Sequence, residues 1–337
     1  MTLEEKRVAI IGAGSFGTAL ALVAAKSHHQ IRIWAREEEV ARSIEAERRN
    51  PFYLSEFDIL PGIKATTSIE SALEGAGFCF FVVPSHAMRE VVSQVAARID
   101  PDTVIISATK GIENGTLMRM SEVIGDVCRP RFEPKIAALS GPSFAYEVAR
   151  GDPAAVVAAS KSRNVAEAVQ HEFSSHLLRI YTNSDIIGVE LGGAVKNVIA
   201  IAAGVVCGLG FGTNSIAAII TRGLAEMTRL ILAAGGRPET MAGLAGLGDL
   251  VLTCTGDLSR NRKVGIELGR GRKLAGILSS TREIAEGVNT TRALHDMALR
   301  LKVEMPITES VYALLYEDKP AIEAANQLMD RPLKDEN

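Results

Sequence analysis

Apolar residues in the first half of the chain gather in short runs that alternate with amphipathic stretches. Nearly all-apolar runs are typical of parallel strands that are buried on both faces. The stretches between them, such as Ala19–Ala25 and Met88–Ile99, have helical spacing. This alternation predicts a doubly wound sheet of parallel strands. The predicted strands are Val8–Ile11, Ile31–Ala35, Phe78–Val83, Val104–Ser107, Ile136–Ser140 and Ala154–Ala159.

The pattern changes after about residue 188. Strand-like runs become rare, and long segments rich in Ala, Leu and Ile replace them, as is typical of helices that pack on one another. We therefore predict a doubly wound α/β domain over residues 1–188, followed by an all-α domain over residues 189–337. The predicted helices of the second domain are 189–206, 214–234, 260–269, 290–300 and 307–316.

Composition and charge narrow the class of protein. Of 337 residues, 47% are hydrophobic and 23% are charged, which is typical of a globular chain with a large core. The 37 basic and 40 acidic residues give a net charge of -3, so we expect no attraction to nucleic acid. The N-terminus lacks the basic and apolar regions of a signal peptide, and we expect a cytoplasmic protein.

Membrane and metal sites are not expected either. Residues 198–221 carry no charge, but several glycines and a Thr-Asn-Ser sequence interrupt them, so we predict a buried helix and no membrane span. The four cysteines are widely separated and have no His pair nearby at metal-ligand spacing. We therefore expect free thiols and no metal.

A glycine-rich sequence, GAGSFG, occupies residues Gly12 to Gly17, directly after the first predicted strand and at the start of an apolar helix. This is the context in which a GxGxxG sequence indicates a dinucleotide-binding (Rossmann) fold. Gly12 would permit a tight turn, Gly14 would let the main chain approach a pyrophosphate, and Gly17 would allow close packing of helix on strand. The helix N-terminus would add amide donors for the phosphates.

The residue after the second predicted strand bears on the choice of cofactor. NAD-selective sites place an acid there, which accepts hydrogen bonds from the ribose hydroxyls. This chain has Arg36, whose guanidinium could pair with a 2'-phosphate, and Glu37 follows it. We therefore expect NADPH to be preferred, with NADH still possible.

Loops at the carboxyl ends of the later strands should line the same crevice. Val83-Pro84-Ser85 ends one strand. Lys110 follows the strand that ends at Ser107, and its ammonium could meet a phosphate or a carbonyl oxygen. In the next such loop, Gly141 permits close approach of the main chain and Ser143 offers a hydroxyl. Each loop alone could be an ordinary turn, but their common edge favours ligand binding.

A lysine stands within an apolar helical segment. Lys196 has only glycine, isoleucine and alanine three and four residues away on either side, so no carboxylate can pair with it within the helix. The side chain must either extend to solvent or face a cavity that holds a partner from elsewhere. In a dry cavity, desolvation would favour the neutral amine and so suit the lysine to acid–base chemistry. Asn197 could orient the same ligand.

A second polar cluster begins at Asp249, in a turn bounded by glycines. Asp249 is a candidate partner for Lys196, although an Asx-turn would explain it as well. Ser259 precedes a predicted helix and is suited to cap it. Arg260 and Asn261 then stand at a helix N-terminus, where amides, helix dipole and guanidinium would together favour a phosphate.

Six short motifs occur in order along the chain: VAIIGAGSFGT at 8–18, Lys110-Gly111, SGPSFA at 140–145, GAVKN at 193–197, GLGDL at 246–250 and Ser259-Arg260-Asn261. With them the sequence resembles the soluble, bacterial-type NAD(P)-dependent glycerol-3-phosphate dehydrogenases over essentially its whole length. Phe16 is a modest departure, because the family often has Trp or Tyr there.

The resemblance implies reversible hydride transfer between NAD(P)H and dihydroxyacetone phosphate, giving sn-glycerol 3-phosphate for glycerophospholipid biosynthesis. Lys196 matches the family's catalytic lysine, the proton acceptor in the oxidising direction. The positions matching substrate contacts are Lys110, Gly141, Ser143, Asp249, Ser259, Arg260 and Asn261. Those matching cofactor contacts are Ser15, Phe16, Arg36, Lys110, Ala145, Arg260, Ile284 and Glu286.

Two other functions stay open. A β-hydroxyacid dehydrogenase of similar layout would also use a lysine, but it would recognise a carboxylate in place of a phosphate. A dinucleotide-sensing regulatory protein would have no need of an unpaired lysine in an apolar helix. The apolar helices after residue 189 would suit a dimer interface as well as a core, and we expect a homodimer.

Overall fold

The computed structural model describes residues 7–26, 30–280, 285–333 and 335. The chain forms two units, one of residues 1–110 and 118–190 and the other of residues 111–117 and 191–337. The assignment of a dinucleotide domain to residues 1–188 and of a catalytic domain to 189–337 stays a prediction.

The first unit is built on a sheet of eight strands in the order β3-β2-β1-β4-β5-β6-β7-β8. Its first six strands have the order typical of a dinucleotide-binding fold. The strands are β1 Arg7–Ile11, β2 Gln30–Trp34, β3 Ile63–Thr66, β4 Ala76–Phe81, β5 Val104–Ser107, β6 Lys135–Ser140, β7 Ala154–Ala159 and β8 Leu178–Asn183. The described strands pair in parallel except β6 and β7, which are antiparallel.

Helices cover both faces of this sheet. Alternate residues of β1 enter different cores: Val8 and Ile10 pack in one apolar cluster, and Ala9 and Ile11 pack in another. Burial on both faces explains why β1 is apolar almost throughout. The helices are α1 Ser15–Ala25, α2 Glu38–Glu47, α3 Ile69–Leu73, α4 Met88–Val95, α5 Met120–Cys128, α6 Ala145–Arg150 and α7 Arg163–Phe173.

The second unit is helical in the part that the structure describes. Its helices are α8 Ile186–Gly208, whose first turn lies in the first unit, α9 Thr213–Ala233, α10 Asp249–Thr255, α11 Arg260–Gly269, α12 Leu274–Ser279, α13 Glu286–Leu301, α14 Pro306–Tyr316 and α15 Ala321–Met329. The predicted fold class, a doubly wound sheet followed by a helical domain, is confirmed.

Helix α8 is long and apolar enough to span a membrane by length and composition, with a mean hydropathy of 1.7. Within the protein, however, 89% of that stretch is buried, as in a core helix. The uncharged residues 198–221 belong to two helices joined by a short turn, because α8 ends at Gly208 and α9 begins at Thr213.

Glycines bring α8 and α11 into backbone contact. A Cβ atom added at Gly204 would lie 2.2 Å from the carbonyl oxygen of Arg262, and one added at Gly265 would lie 2.1 Å from that of Ile201. Gly208 and Gly269 repeat the arrangement one turn further along. Any side chain at these positions would push the two helices apart, so the glycines set how close α11 lies to the helix that carries Lys196.

A buried carboxylate joins α9 to the start of α14. Glu226 is 1% exposed and accepts hydrogen bonds from the backbone N–H groups of Ile307 (2.6 Å) and Thr308 (3.2 Å). It thereby satisfies donors that have no partner within α14. Burial raises the pKa of Glu226 to about 7, although the two N–H groups and the nearby Arg229 act in the opposite direction.

Candidate active site

The glycine-rich loop between β1 and α1 has two glycines that the protein's own packing requires. Gly12 has a φ of +125°, and an added Cβ would lie 2.5 Å from the carbonyl oxygen of Val82. A Cβ at Gly17 would lie 1.9 Å from the carbonyl oxygen of Gly12. Any larger residue at either position would displace backbone.

Gly14 differs, because an added Cβ would meet no protein atom within 4 Å. The fold itself therefore does not require glycine there, and a side chain would instead fill the open space beside the loop. Helix α1 begins at the next residue, Ser15, and has no acidic residue in its first turn. An open cradle in front of a helix N-terminus suits the pyrophosphate of a dinucleotide.

Arg36 lies two residues beyond the end of β2, which stops at Trp34 and not at Ala35 as the sequence predicts. Its Nε and Nη2 atoms donate to Glu37 Oε1 at 3.0 and 2.7 Å, and its side chain is 80% exposed. The hydrogen bonds that Arg36 donates to Glu37, together with the negative charge of Glu37, raise the pKa of Arg36. The guanidinium is accessible, but an anion that approached it would compete with this carboxylate.

Three of the predicted residues meet at the carboxyl ends of the neighbouring strands β5 and β6. Lys110 Nζ and Ser143 Oγ each donate to the carbonyl oxygen of Gly141 at 2.9 Å. Gly141 has a φ of +132°, and a Cβ there would lie 3.0 Å from the Cα atom of Val156 on β7. The first residue of α6, Ala145, follows closely in the chain.

Lys196 lies in the middle of α8 and is only 6% exposed. Its Nζ atom donates to Asp249 Oδ1 at 2.8 Å and to Thr253 Oγ1 at 2.7 Å. Asp249 is 1% exposed and is the first residue of α10. The lysine therefore does not extend to solvent, and its charge partner comes from a different helix.

Two glycines allow close packing at the turn before α10, one against α8 and the other against the segment that precedes the turn. That turn, Leu244–Gly248, is π-helical. A Cβ at Gly192 would lie 2.7 Å from the carbonyl oxygen of Ala245, and one at Gly246 would lie 2.3 Å from that of Met241. The close approach at Gly192 places the turn before Asp249 against the helix that carries Lys196.

A chain of amides links the helices next to Lys196. Gly287 N–H donates to Asn261 Oδ1 at 2.9 Å, Asn261 Nδ2 donates to Asn197 Oδ1 at 3.0 Å, and Asn197 Nδ2 donates to the carbonyl oxygen of Gly193 at 3.3 Å. These bonds fix which way both side-chain amides point. They also hold the first turns of α11 and α13 beside α8.

The start of α11 has the predicted cap. Ser259 is buried, and its hydroxyl accepts from the N–H of Arg262 at 3.2 Å. Arg260 is exposed at the first position of the helix. Glu286 begins α13, whereas Ile284 lies outside the described residues.

A thiol lies close to the lysine but does not suit nucleophilic chemistry. Burial raises the pKa of Cys254 to about 12, although the nearby Lys196 acts against this shift. The thiol is therefore protonated at neutral pH.

Among the described residues, no group of His, Cys, Asp and Glu could hold a metal ion.

Comparison with known proteins identifies the family. The model of the NAD-dependent glycerol-3-phosphate dehydrogenase N-terminus matches residues 7–166, and that of the C-terminus matches residues 185–326. Glycerol-3-phosphate dehydrogenase [NAD(P)+] of Koribacter versatilis is 55% identical over 97% of each chain. The enzyme of the same name from Geobacter sulfurreducens is 52% identical over 98% of this chain and 99% of its own.

This chain belongs to the NAD-dependent glycerol-3-phosphate dehydrogenase family. The crystal structure of glycerol-3-phosphate dehydrogenase from Coxiella burnetii agrees, with a TM-score of 0.92 and 40% identity over 97% of this chain and 99% of that one. The family resemblance stated from the sequence motifs is thus confirmed.

Sequence reasoning missed two residues that support the candidate functional groups, one in each unit. Thr253 accepts from Lys196 and donates to the carbonyl oxygen of Asp249 at 2.6 Å. The sequence indicates a role for Thr253 only through its position four residues after Asp249, which places it one helical turn further along the same face. Asn50 is 0% exposed and bonds to the glycine-rich loop. It lies between α2 and β3, and no motif marks it.

Proposed function

We propose that this chain catalyses the reversible reduction of dihydroxyacetone phosphate to sn-glycerol 3-phosphate with NADPH or NADH, and that Lys196 is the proton donor. Membership of the family supports the reaction and the use of NAD(P)H. The buried ion pair of Lys196 with Asp249 is the observation that supports the assignment of the lysine.

The first unit is proposed to bind the dinucleotide. Gly12, Gly14 and Gly17 would form the turn around the pyrophosphate, and Ser15 and Phe16 would present the first amides of α1 to it. When bound, the reduced nicotinamide supplies the hydride that reduces the ketone carbon. Further proposed contacts with the cofactor are Arg36, Lys110, Ala145, Arg260, Ile284 and Glu286.

The Lys196 ammonium would donate its proton to the ketone oxygen as negative charge develops there. The geometry prepares it for this step, because Asp249 and Thr253 hold Nζ from two sides. The carboxylate also offsets the cost of burying the ammonium in a site that is almost free of solvent. In the oxidising direction, the same nitrogen would accept the proton from the alcohol.

The phosphate would bind at the start of α11. Arg260 is exposed there and can pair with two phosphate oxygens, while Ser259 and Asn261 order the first turn. Asn197 is bonded to Asn261 and keeps this turn in register with Lys196. Binding energy from the distant phosphate would then hold the reacting carbonyl in place. Further proposed contacts with the substrate are Lys110, Gly141 and Ser143.

NADPH is proposed as the preferred cofactor. The accessible guanidinium of Arg36 can pair with the 2'-phosphate, and the absence of an acid at that position removes the usual partner of the ribose hydroxyls. Glu37, which now holds the guanidinium, is the reason that NADH stays possible.

We further propose a cytoplasmic homodimer that supplies sn-glycerol 3-phosphate to phospholipid synthesis.

A comparison of substrates tests this function. The oxidation of NADPH, and separately of NADH, would be followed with dihydroxyacetone phosphate, with dihydroxyacetone and with a 3-oxo acid. We expect turnover with the phosphate ester and little with the other two. Preferred turnover of the 3-oxo acid would favour a β-hydroxyacid dehydrogenase, and binding of NADPH without turnover of any substrate would favour a regulatory protein.

A further inference from the structure

Asn50 is a fully buried side chain that bonds to two separate segments of the first unit. Its Nδ2 donates to the carbonyl oxygen of Ala13 at 2.9 Å and to Thr18 Oγ1 at 3.0 Å. Its Oδ1 accepts from the N–H groups of Phe52 at 3.2 Å and Tyr53 at 3.1 Å. A carboxamide can donate two hydrogen bonds and accept two, so all four are in use.

The bond to Ala13 sets the orientation of one peptide group in the glycine-rich loop. The peptide between Ala13 and Gly14 is planar, and in a trans peptide the C=O and N–H point in opposite directions. Because the carbonyl of Ala13 points to Asn50, the N–H of Gly14 must point away from Asn50. Gly14 is also the residue whose added Cβ would meet only open space.

The hydroxyl of Thr18 strengthens this arrangement. Thr18 is 0% exposed, lies in the first turns of α1 and donates to the same carbonyl oxygen of Ala13 at 3.5 Å. It also accepts the second hydrogen of the Asn50 amide. One carboxamide therefore holds both the loop and α1. It can make its hydrogen bonds to Ala13 and Thr18 only in a single orientation.

The other end of the bridge is the segment that follows α2. The N–H groups of Phe52 and Tyr53 donate to Asn50 Oδ1, so the amide holds the main chain of residues 50–53. One buried side chain thus joins the loop proposed for the pyrophosphate to the segment between α2 and β3.

We propose that Asn50 is a positioning residue of the dinucleotide site, which aims the Gly14 amide at the pyrophosphate and joins the glycine-rich loop to segment 50–53. This inference rests on the proposed function, because it needs the dinucleotide to bind at the loop. Asn50 is not itself proposed to touch the cofactor.

Binding of NADPH, measured by calorimetry on the full chain, tests this role without depending on turnover. In Asn50→Asp the side chain keeps its size and can still accept from Phe52 and Tyr53, but an ionised carboxylate has no hydrogen to donate to Ala13. Asn50→Ser removes the amide without adding charge. We expect the Kd for NADPH to rise at least about tenfold in both variants.

Thr103→Ala is the matched control. Thr103 is 3% exposed, and its hydroxyl donates to the carbonyl oxygen of Ala76 at 2.8 Å, at the start of β4 and far along the sheet from the loop. Its loss removes one buried side-chain to backbone hydrogen bond. We expect a lower melting temperature for this variant and a Kd within about twofold of the wild type.

Several results would contradict the inference. One is a Kd for NADPH in Asn50→Ser that equals that of the wild type. This would contradict the inference even if Asn50→Asp bound NADPH weakly, because the added negative charge alone would then explain the weak binding. If neither variant folds, hydrogen exchange of the wild-type protein decides: NADPH should slow exchange of the Phe52 and Tyr53 amides, and unchanged exchange there would overturn the proposal. A wild type that binds neither NADPH nor NADH would instead refute the proposed function itself.

Discussion

The buried carboxyl group of Glu226 gives a prediction about stability and pH. Its pKa is raised from 4.5 to about 7 in the folded protein, because burial disfavours the charged form. A shift of this size corresponds to about 3 kcal/mol. Since the folded state binds the proton more tightly, the stabilisation is complete below about pH 4.5 and is lost as the pH rises through about 7.

Glu226→Gln removes this titration and keeps one of the two oxygens that accept from the N–H groups of Ile307 and Thr308 at the start of α14. The free energy of unfolding of both proteins would be measured with urea at several values between pH 4.5 and 8. Relative to the glutamine variant, the wild type should lose about 3 kcal/mol across this range. Groups common to both proteins cancel in this difference. A difference that stays constant with pH would refute the reasoning.

Three further predictions concern the candidate site. Asp249→Asn removes the carboxylate that pairs with the buried Lys196 ammonium, so the free energy of unfolding should fall by about 3 kcal/mol, and adding Lys196→Met should restore part of it in urea titrations. Gly17→Ala should lower the melting temperature sharply, because its Cβ would lie 1.9 Å from a carbonyl oxygen, whereas Gly14→Ala should melt normally but bind NADPH weakly. Arg36→Gln should lower the ratio of kcat/KM for NADPH to that for NADH about tenfold.

Each of these has an outcome that would contradict it. An Asp249→Asn variant as stable as the wild type would mean that the buried lysine needs no carboxylate. Normal NADPH binding by Gly14→Ala would show that the open space beside the loop is not the pyrophosphate site. An unchanged cofactor ratio in Arg36→Gln would remove this residue from 2'-phosphate recognition.

The strands buried on both faces could be predicted from the sequence, because each is nearly all apolar. Two strands at the edges of the sheet could not. In β8, Leu178 and Ile180 are buried while Arg179 and Tyr181 are exposed, so the strand has no continuous apolar run. The antiparallel direction of β7 was also hidden, because an apolar run reads the same in both directions.

The residues of the candidate site could be found from sequence only where a local irregularity marked them. Lys196 stands out in an apolar helix, and Gly12 to Gly17 form a recognisable motif. The glycine contacts between α8 and α11 and the bonds made by Asn50 depend on residues far apart in the chain. Distances of that kind arise only from tertiary packing, so no local pattern indicated them.

The most direct test of the proposed chemistry is a comparison of wild type with Lys196→Met. The rate of NADPH oxidation with saturating dihydroxyacetone phosphate would be measured for both proteins, together with the Kd for NADPH. Loss of a general acid should lower kcat by at least about a hundredfold while the Kd stays within about twofold, because Lys196 is not among the residues proposed to contact the cofactor. A variant that turns over at the wild-type rate would contradict the account.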